Sequence, residues 1–213
     1  MTLLDEARSR RIPLQLYWPE QTKSKLKLAI LSHGYKVSHT AYTFIATNLA
    51  ERGYYVVSIL HELPGDEPIP TTGKPYEVRM PNWQRGAATI LYTLQSLQKQ
   101  KPDLDFKHVL LVGHSNGGDM SMLFAQQYPE LVSQVISLDN RRMPLPRSYK
   151  PRILSIRSSD QPADPGVLPT REEQKRYKIK IITLTNTIHN DMCDEGTQAQ
   201  KEEINALINS FIQ

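Results

Sequence analysis

The sequence predicts an α/β fold: a mostly parallel central sheet of about seven strands, helices on both faces, and no separate cap domain. Two observations carry this. Short apolar, β-branched runs alternate with longer stretches of helical periodicity along the whole chain. Several of the short runs, such as Val109-Leu110-Leu111-Val112, are apolar at every position, as suits strands buried on both faces. Right-handed crossovers between parallel strands then distribute the helices over both faces. A length of 213 residues suits one domain, 1–213, large enough to bury a full core without staples.

In chain order, strands are expected at 12–17, 26–32, 54–60, 108–113, 132–138, 152–157 and 178–184. Helices are expected between them. The stretch 42–52 places Phe44, Ile45 and Leu49 on one face and stops at Gly53, a residue suited to a C-cap. The stretch 83–100 carries Ile90, Leu91, Leu94 and Leu97 at helical spacing, and 116–128 carries Met120, Leu123 and Phe124 before Pro129. The last helix, 202–211, aligns Ile204, Leu207, Ile208 and Phe211. Segments 62–81 and 141–151 are rich in proline and are expected as irregular loops. Loops of that length in a compact α/β domain are often binding loops, so both are read as walls of a pocket, the first together with Trp83. Arg141, Arg142 and Arg147 in the second are read as solvated loop charges, with contact to an acidic substrate as the alternative.

Composition excludes several classes. Charged residues are 23% and apolar residues 39%, so the chain is neither a disordered polyelectrolyte nor a fibre. No run approaches the 18 apolar residues or so that a membrane span needs. The first residues bring charge at once, at Asp5 and Glu6, without an apolar signal core. The chain is therefore expected to be cytoplasmic as it stands, and periplasmic or secreted only if an export signal has been removed. The net charge of +4 is scattered, its tightest groups being Arg8, Arg10, Arg11 and Lys23, Lys25, Lys27. These are read as surface charge, with no nucleic-acid partner.

The sharpest local signal is Gly113-His114-Ser115-Asn116-Gly117-Gly118, which fits Gly-x-Ser-x-Gly directly between an apolar strand and a helix. A nucleophile on so tight a turn needs a strained backbone, and its neighbours two residues away must lack bulk for strand and helix to close. The Ser115 hydroxyl is then presented at the helix N-terminus, where the Asn116 N–H can face a developing oxyanion.

These residues, with Leu31-Ser32-His33-Gly34-Tyr35 and the opening run that ends in Tyr17-Trp18-Pro19, resemble the α/β-hydrolase superfamily. The likeness is to small bacterial serine hydrolases of the dienelactone-hydrolase and esterase type, from about Arg11 to the C-terminus. It implies that the His-Gly loop donates a second oxyanion N–H, from Tyr35, with His33 shaping that loop. The fold's chain order of nucleophile, acid, base implies that His189, the one histidine after Ser115, is the base. The acid then lies between them. Asp160, three residues past the strand 152–157, matches the family pattern; Asp164 and Asp139 stay open as alternatives.

His189, Asp191, Cys193 and Asp194 cluster without a metal-ligand spacing and are read as a polar loop with a helix cap. A single cysteine excludes an intramolecular disulfide, and no phosphate-cradling glycine motif calls for a nucleotide cofactor. The expectation is a cofactor-free, metal-free serine hydrolase acting on a small-molecule carboxylic ester. A thioesterase or acyltransferase would use the same groups. A binding module on the same scaffold would not react with a fluorophosphonate.

Overall fold

A computed structural model describes residues 1–20 and 25–213. Lys23, in one of the basic groups, lies outside them. Eight strands, β1 (Thr2–Asp5), β2 (Arg10–Tyr17), β3 (Lys27–Ser32), β4 (Tyr54–Ile59), β5 (Asp105–His114), β6 (Gln134–Leu138), β7 (Arg152–Arg157) and β8 (Lys180–Thr183), form one sheet. Their order is β1-β2-β4-β3-β5-β6-β7-β8. The first two join antiparallel, and β3 through β8 run parallel. The mixed edge adds β1 to the expected strands; four residues with alternating burial are too short to read as a period.

The helices are α1 (Thr43–Glu51), α2 (Pro75–Val78), α3 (Met80–Gln100), α4 (Asn116–Gln127), α5 (Arg171–Tyr177) and α6 (Gln198–Ile212). Alternation along the strands splits the core in two. Leu28 and Ile30 of β3 pack with Ile90, Leu94 and Leu97 of α3 and Met120 and Phe124 of α4. Ala29 and Leu31 face the other way, with Ile45 and Leu49 of α1 and Ile204, Ile208 and Phe211 of α6. Burying each large side chain of this kind is worth about 1.5–3 kcal/mol, so the sheet is held from both faces. No helix among the described residues is long and apolar enough to cross a membrane.

Three local departures from the sequence reading have clear causes. One helical turn, α2, stands within the proline-rich segment 62–81, because Pro75 occupies a first-turn position where its missing N–H is harmless. Helix α5 begins at a Thr170–Glu173 capping box, and α6 starts four residues earlier than expected, at a Thr197–Gln200 box. Both boxes were legible in the sequence. The cap of α1 was not: Asp194, 151 residues away in sequence, accepts from the Thr43 N–H at 2.9 Å and the Phe44 N–H at 3.2 Å. Arg8 and Arg10 are held in ion pairs, with Asp5 at 2.5 Å and Asp66 at 2.7 Å, rather than displayed as a basic stripe. The Arg10 fork takes both oxygens of Asp66 and so moors the segment 62–81 to β2.

Candidate active site

The site lies at the carboxyl ends of the parallel strands. Ser115 follows β5 at φ 53°, ψ −119°, a left-handed turn that few side-chain-bearing residues adopt. The flanking glycines make it possible. A methyl at position 113 would collide with the Gly117 carbonyl, and one at 117 would run into the carbonyls of Ser32 and His33. Strand β5, helix α4 and the His-Gly loop after β3 therefore close onto one another without side chains between them.

The Ser115 hydroxyl donates to His189 Nε2 at 3.0 Å. On the other side of the ring, His189 Nδ1–H donates to Asp139 Oδ2 at 2.5 Å. The acceptor-only carboxylate assigns the tautomer that leaves Nε2 free to accept from Ser115. Asp139 is fully buried, and its second oxygen meets Arg157 Nη2 at 2.9 Å. Ser158 donates to it twice, from N–H at 3.1 Å and from Oγ at 2.7 Å. Burial pushes the Asp139 carboxyl upward, but the His189 and Ser158 hydrogen bonds and the Arg157 charge outweigh it, and the carboxyl lies below its usual range.

This corrects the expectation for Asp160. Its Oδ1 accepts the main-chain N–H of His189 at 2.8 Å, while the ring's hydrogen bonds among the described residues go to Asp139 and Ser115. Asp164 is half-buried, 3.8 Å from Arg142. The reason is topological. Strand β6 is the immediate neighbour of β5, whereas β7, which leads to Asp160, is one strand further out. Asp139 ends β6 in the left-handed region, φ 57°, and that turn brings its carboxylate to the imidazole. Asp160 instead steadies the loop that carries His189.

The main chain of His189 is held at its other end too. His114 Nε2–H donates to the His189 carbonyl at 3.1 Å, and His114 Nδ1 accepts from the Tyr42 hydroxyl at 2.7 Å. That hydroxyl accepts the Gly34 N–H at 2.9 Å. Every proton in this chain has one consistent place, and it joins the His-Gly loop to the His189 loop through the core. Burial first, then the neighbouring His189, lowers the His114 pKa to about 3, so its ring is neutral. His33 is likewise neutral, lowered to about 4 mainly by burial. Its Nδ1–H turns to the Gly34 carbonyl at 2.8 Å, and its Nε2 accepts the His61 N–H at 2.9 Å. These two histidines shape loops.

Tyr35, Ser115 and Asn116 line a common cleft of about 300 Å³. The Asn116 side chain is fully engaged: Oδ1 accepts from Trp83 Nε1 at 2.8 Å, and Nδ2 donates to Asn82 at 2.9 Å and Glu62 at 3.2 Å. Trp83 is thus a buried prop beneath the cleft, not a wall of it as the sequence suggested. The cleft is also lined by Ile69, Thr71 and Arg79 from the segment before α3 and by Arg141 and Arg142 from the segment after β6. Those two arginines are therefore not merely solvated loop charges. Arg147 is elsewhere, bonded to the carbonyls of Leu145, Gly166 and Val167. Among the described residues no group of three or more metal-ligating side chains converges.

Glu62 gives a pH-dependent expectation. Burial raises its pKa from 4.5 to about 7, although the Asn116 hydrogen bond opposes the shift. As pH rises from 4.5 to 7, the unfolded chain releases a proton that the folded chain still holds, so stability falls over that window. Glu62→Gln is expected to flatten the fall and to gain on the order of 1–3 kcal/mol over the natural chain at pH 8. Urea midpoints from pH 4 to 8 measure it. Parallel curves for the two proteins would remove Glu62 as the cause.

Comparison with known proteins follows the same lines. A family model described as serine aminopeptidase, S33, a hydrolase family, matches residues 23–138, more than half of the chain. The chain belongs to this α/β-hydrolase family. Among curated proteins it is similar to ethanol acetyltransferase 1 of Eremothecium cymbalariae, 36% identical over 78 residues. That match covers 37% of this chain and 22% of the acetyltransferase, so the chain corresponds to about a fifth of that protein's length. Solved structures give the same fold. A ferulic acid esterase from Streptomyces cinnamoneus matches with TM-score 0.58 and 21% identity, over 82% of this chain and 55% of that one. The dienelactone hydrolase-like promiscuous phosphotriesterase P91 from metagenomic libraries matches with TM-score 0.68 and 14% identity, over 99% and 97%. The family match and the solved structures agree on the α/β-hydrolase fold.

Proposed function

We propose that the protein is a serine hydrolase that cleaves small carboxylic esters through an acyl-enzyme on Ser115. The observation that carries this reading is the continuous array Ser115–His189–Asp139, with the serine held on a strained turn at a helix N-terminus. Ser115 Oγ attacks the ester carbonyl and its proton passes to His189 Nε2. Asp139 holds the ring in the required tautomer and stabilises the imidazolium. The N–H groups of Asn116 and Tyr35 receive the oxyanion. The alkoxide leaves with the proton from His189, and water, activated by the same nitrogen, releases the acid. The small volume of the cleft supports a small substrate.

A second reading uses the same acyl-enzyme and resolves it with an alcohol. The likeness to ethanol acetyltransferase 1 supports testing it. Labelling with a fluorophosphonate, followed by turnover of 4-nitrophenyl esters of rising acyl length with and without ethanol, tests both readings. Labelling and hydrolysis are expected. An ethyl ester as the dominant product would favour the second reading, and no labelling would overturn both.

A further inference from the structure

The cleft beside Ser115 carries three arginines and one carboxylate, that of Asp119. One oxygen of that carboxylate is already taken up within the protein. Asp119 is buried, and its Oδ1 already accepts from the N–H groups of Arg142 and Met143 at 3.0 and 2.8 Å and from Asn140 Nδ2 at 3.3 Å. The guanidiniums keep spare donors. Arg142 makes no side-chain hydrogen bond among the described residues. Its Nε is buried without a partner, and its nearest carboxylate, Asp164, stands at 3.8 Å. Among the described residues Arg79 uses only Nε, on the Pro70 carbonyl at 3.2 Å. Arg141 uses Nε on Pro162 and Nη1 on Gln161, leaving Nη2. These three come from two separate segments, one before α3 and one after β6, and meet only in the folded chain. Burial, then the charge of Arg142, disfavours the cationic form of Arg79, while Asp119 works the other way. Like charges brought together in a partly desolvated cleft repel, and an anion placed between them removes the repulsion. Guanidinium forks match the oxygens of a carboxylate or a phosphate.

We propose that this cleft selects esters bearing a second, anionic group, a carboxylate or a phosphate, held by Arg79, Arg141 and Arg142 while Ser115 attacks the ester carbonyl. The proposal rests on the serine-hydrolase reading for its turnover and on the arginines alone for its binding. Two ester pairs separate charge from shape: 4-nitrophenyl hydrogen glutarate against its neutral methyl ester, and 1-acetylglycerol 3-phosphate against acetylglycerol. In at least one pair the anionic member is expected to have a kcat/KM roughly tenfold or more above the neutral member, as for a charge-assisted hydrogen bond in a sheltered site. The pair that responds identifies carboxylate or phosphate. The preference should shrink in 0.5 M sodium chloride, and Arg142→Met should lower the anionic rate roughly tenfold more than the neutral one. Arg79→Met serves as the second variant if Arg142→Met does not fold. Calorimetry on Ser115→Ala protein, with glutarate and glycerol 3-phosphate against glutaramide and glycerol, gives a readout free of turnover. Saturable binding of either anion, lost on adding Arg142→Met, supports the arginine site even if no ester is hydrolysed, in which case the serine-hydrolase reading alone fails. Equal rates within both pairs, with no binding of either anion, would overturn the proposal and leave the triad reading standing.

Discussion

Ser115→Ala is expected to reduce kcat on a chromogenic ester by about 10⁴-fold or more, the loss typical of removing the nucleophile from an interlocked triad. The fold should survive. Among the described residues the serine side chain makes one hydrogen bond, to His189, and the backbone strain at φ 53° is common to serine and alanine. The main chain of His189 remains held by Asp160 and His114, so the base should not drift into the space left by the hydroxyl. Unchanged far-ultraviolet dichroism and urea midpoint, together with the loss of turnover and of fluorophosphonate labelling, is the expected set. Turnover within tenfold of the natural chain would refute the proposed acyl-enzyme mechanism.

Asp139→Asn is expected to cost roughly 10⁴-fold in kcat, because its amide would donate to Nδ1 and force the proton onto Nε2, where it faces Ser115. The amide oxygen would still serve the Ser158 N–H, but Arg157, also buried, loses its charged partner. Some stability should go with activity, so the pair must be read against a control that alters the neighbouring carboxylate. Asp160→Asn is that control. An amide oxygen accepts the His189 N–H as a carboxylate does, so its loss in kcat should stay within about tenfold, as for a neutral hydrogen bond weakened and not removed. If Asp160→Asn proves the more damaging of the two, the assignment of Asp139 to the imidazole is wrong.

The contrast between these aspartates marks the boundary between what a chain declares locally and what its topology decides. Ser115 was legible because everything its turn needs is local in sequence: an apolar strand before it, a helix after it, and glycine on either side at 113 and 117. The pattern carries its own reason, since any side chain at those two positions would strike the main chain of Gly117 or of Ser32. The strands β3 to β7 were legible for the same kind of reason: continuous apolar runs such as 109–112 have one stable place, between two helical layers. His189 was legible from chain order. Strand β1 and helix α5 were not read, the first because four residues hold no period, the second because its polar face hides a capping box that a search for apolar stripes passes over.

The α/β class and the elbow that presents Ser115 could be read from the chain because each depends on residues adjacent in sequence, and chain order alone pointed to His189. Which aspartate meets the imidazole, and which arginines line the cleft, follow from how the sheet is assembled. Asp139, Asp160 and Asp164 all lie in loops beyond strand ends or at them, and distance from a strand end put Asp160 first where Asp139 makes the contact. The ranking comes from β6 lying next to β5 in the sheet, and from the left-handed turn at Asp139. In the same way, Arg79 and Arg142 lie far apart in the chain, and nothing in their local sequences joins them. They share a cleft because the segments before α3 and after β6 fold over the same carboxyl edge of the sheet, and charge proximity of that kind is a property of topology, not of spacing along the chain.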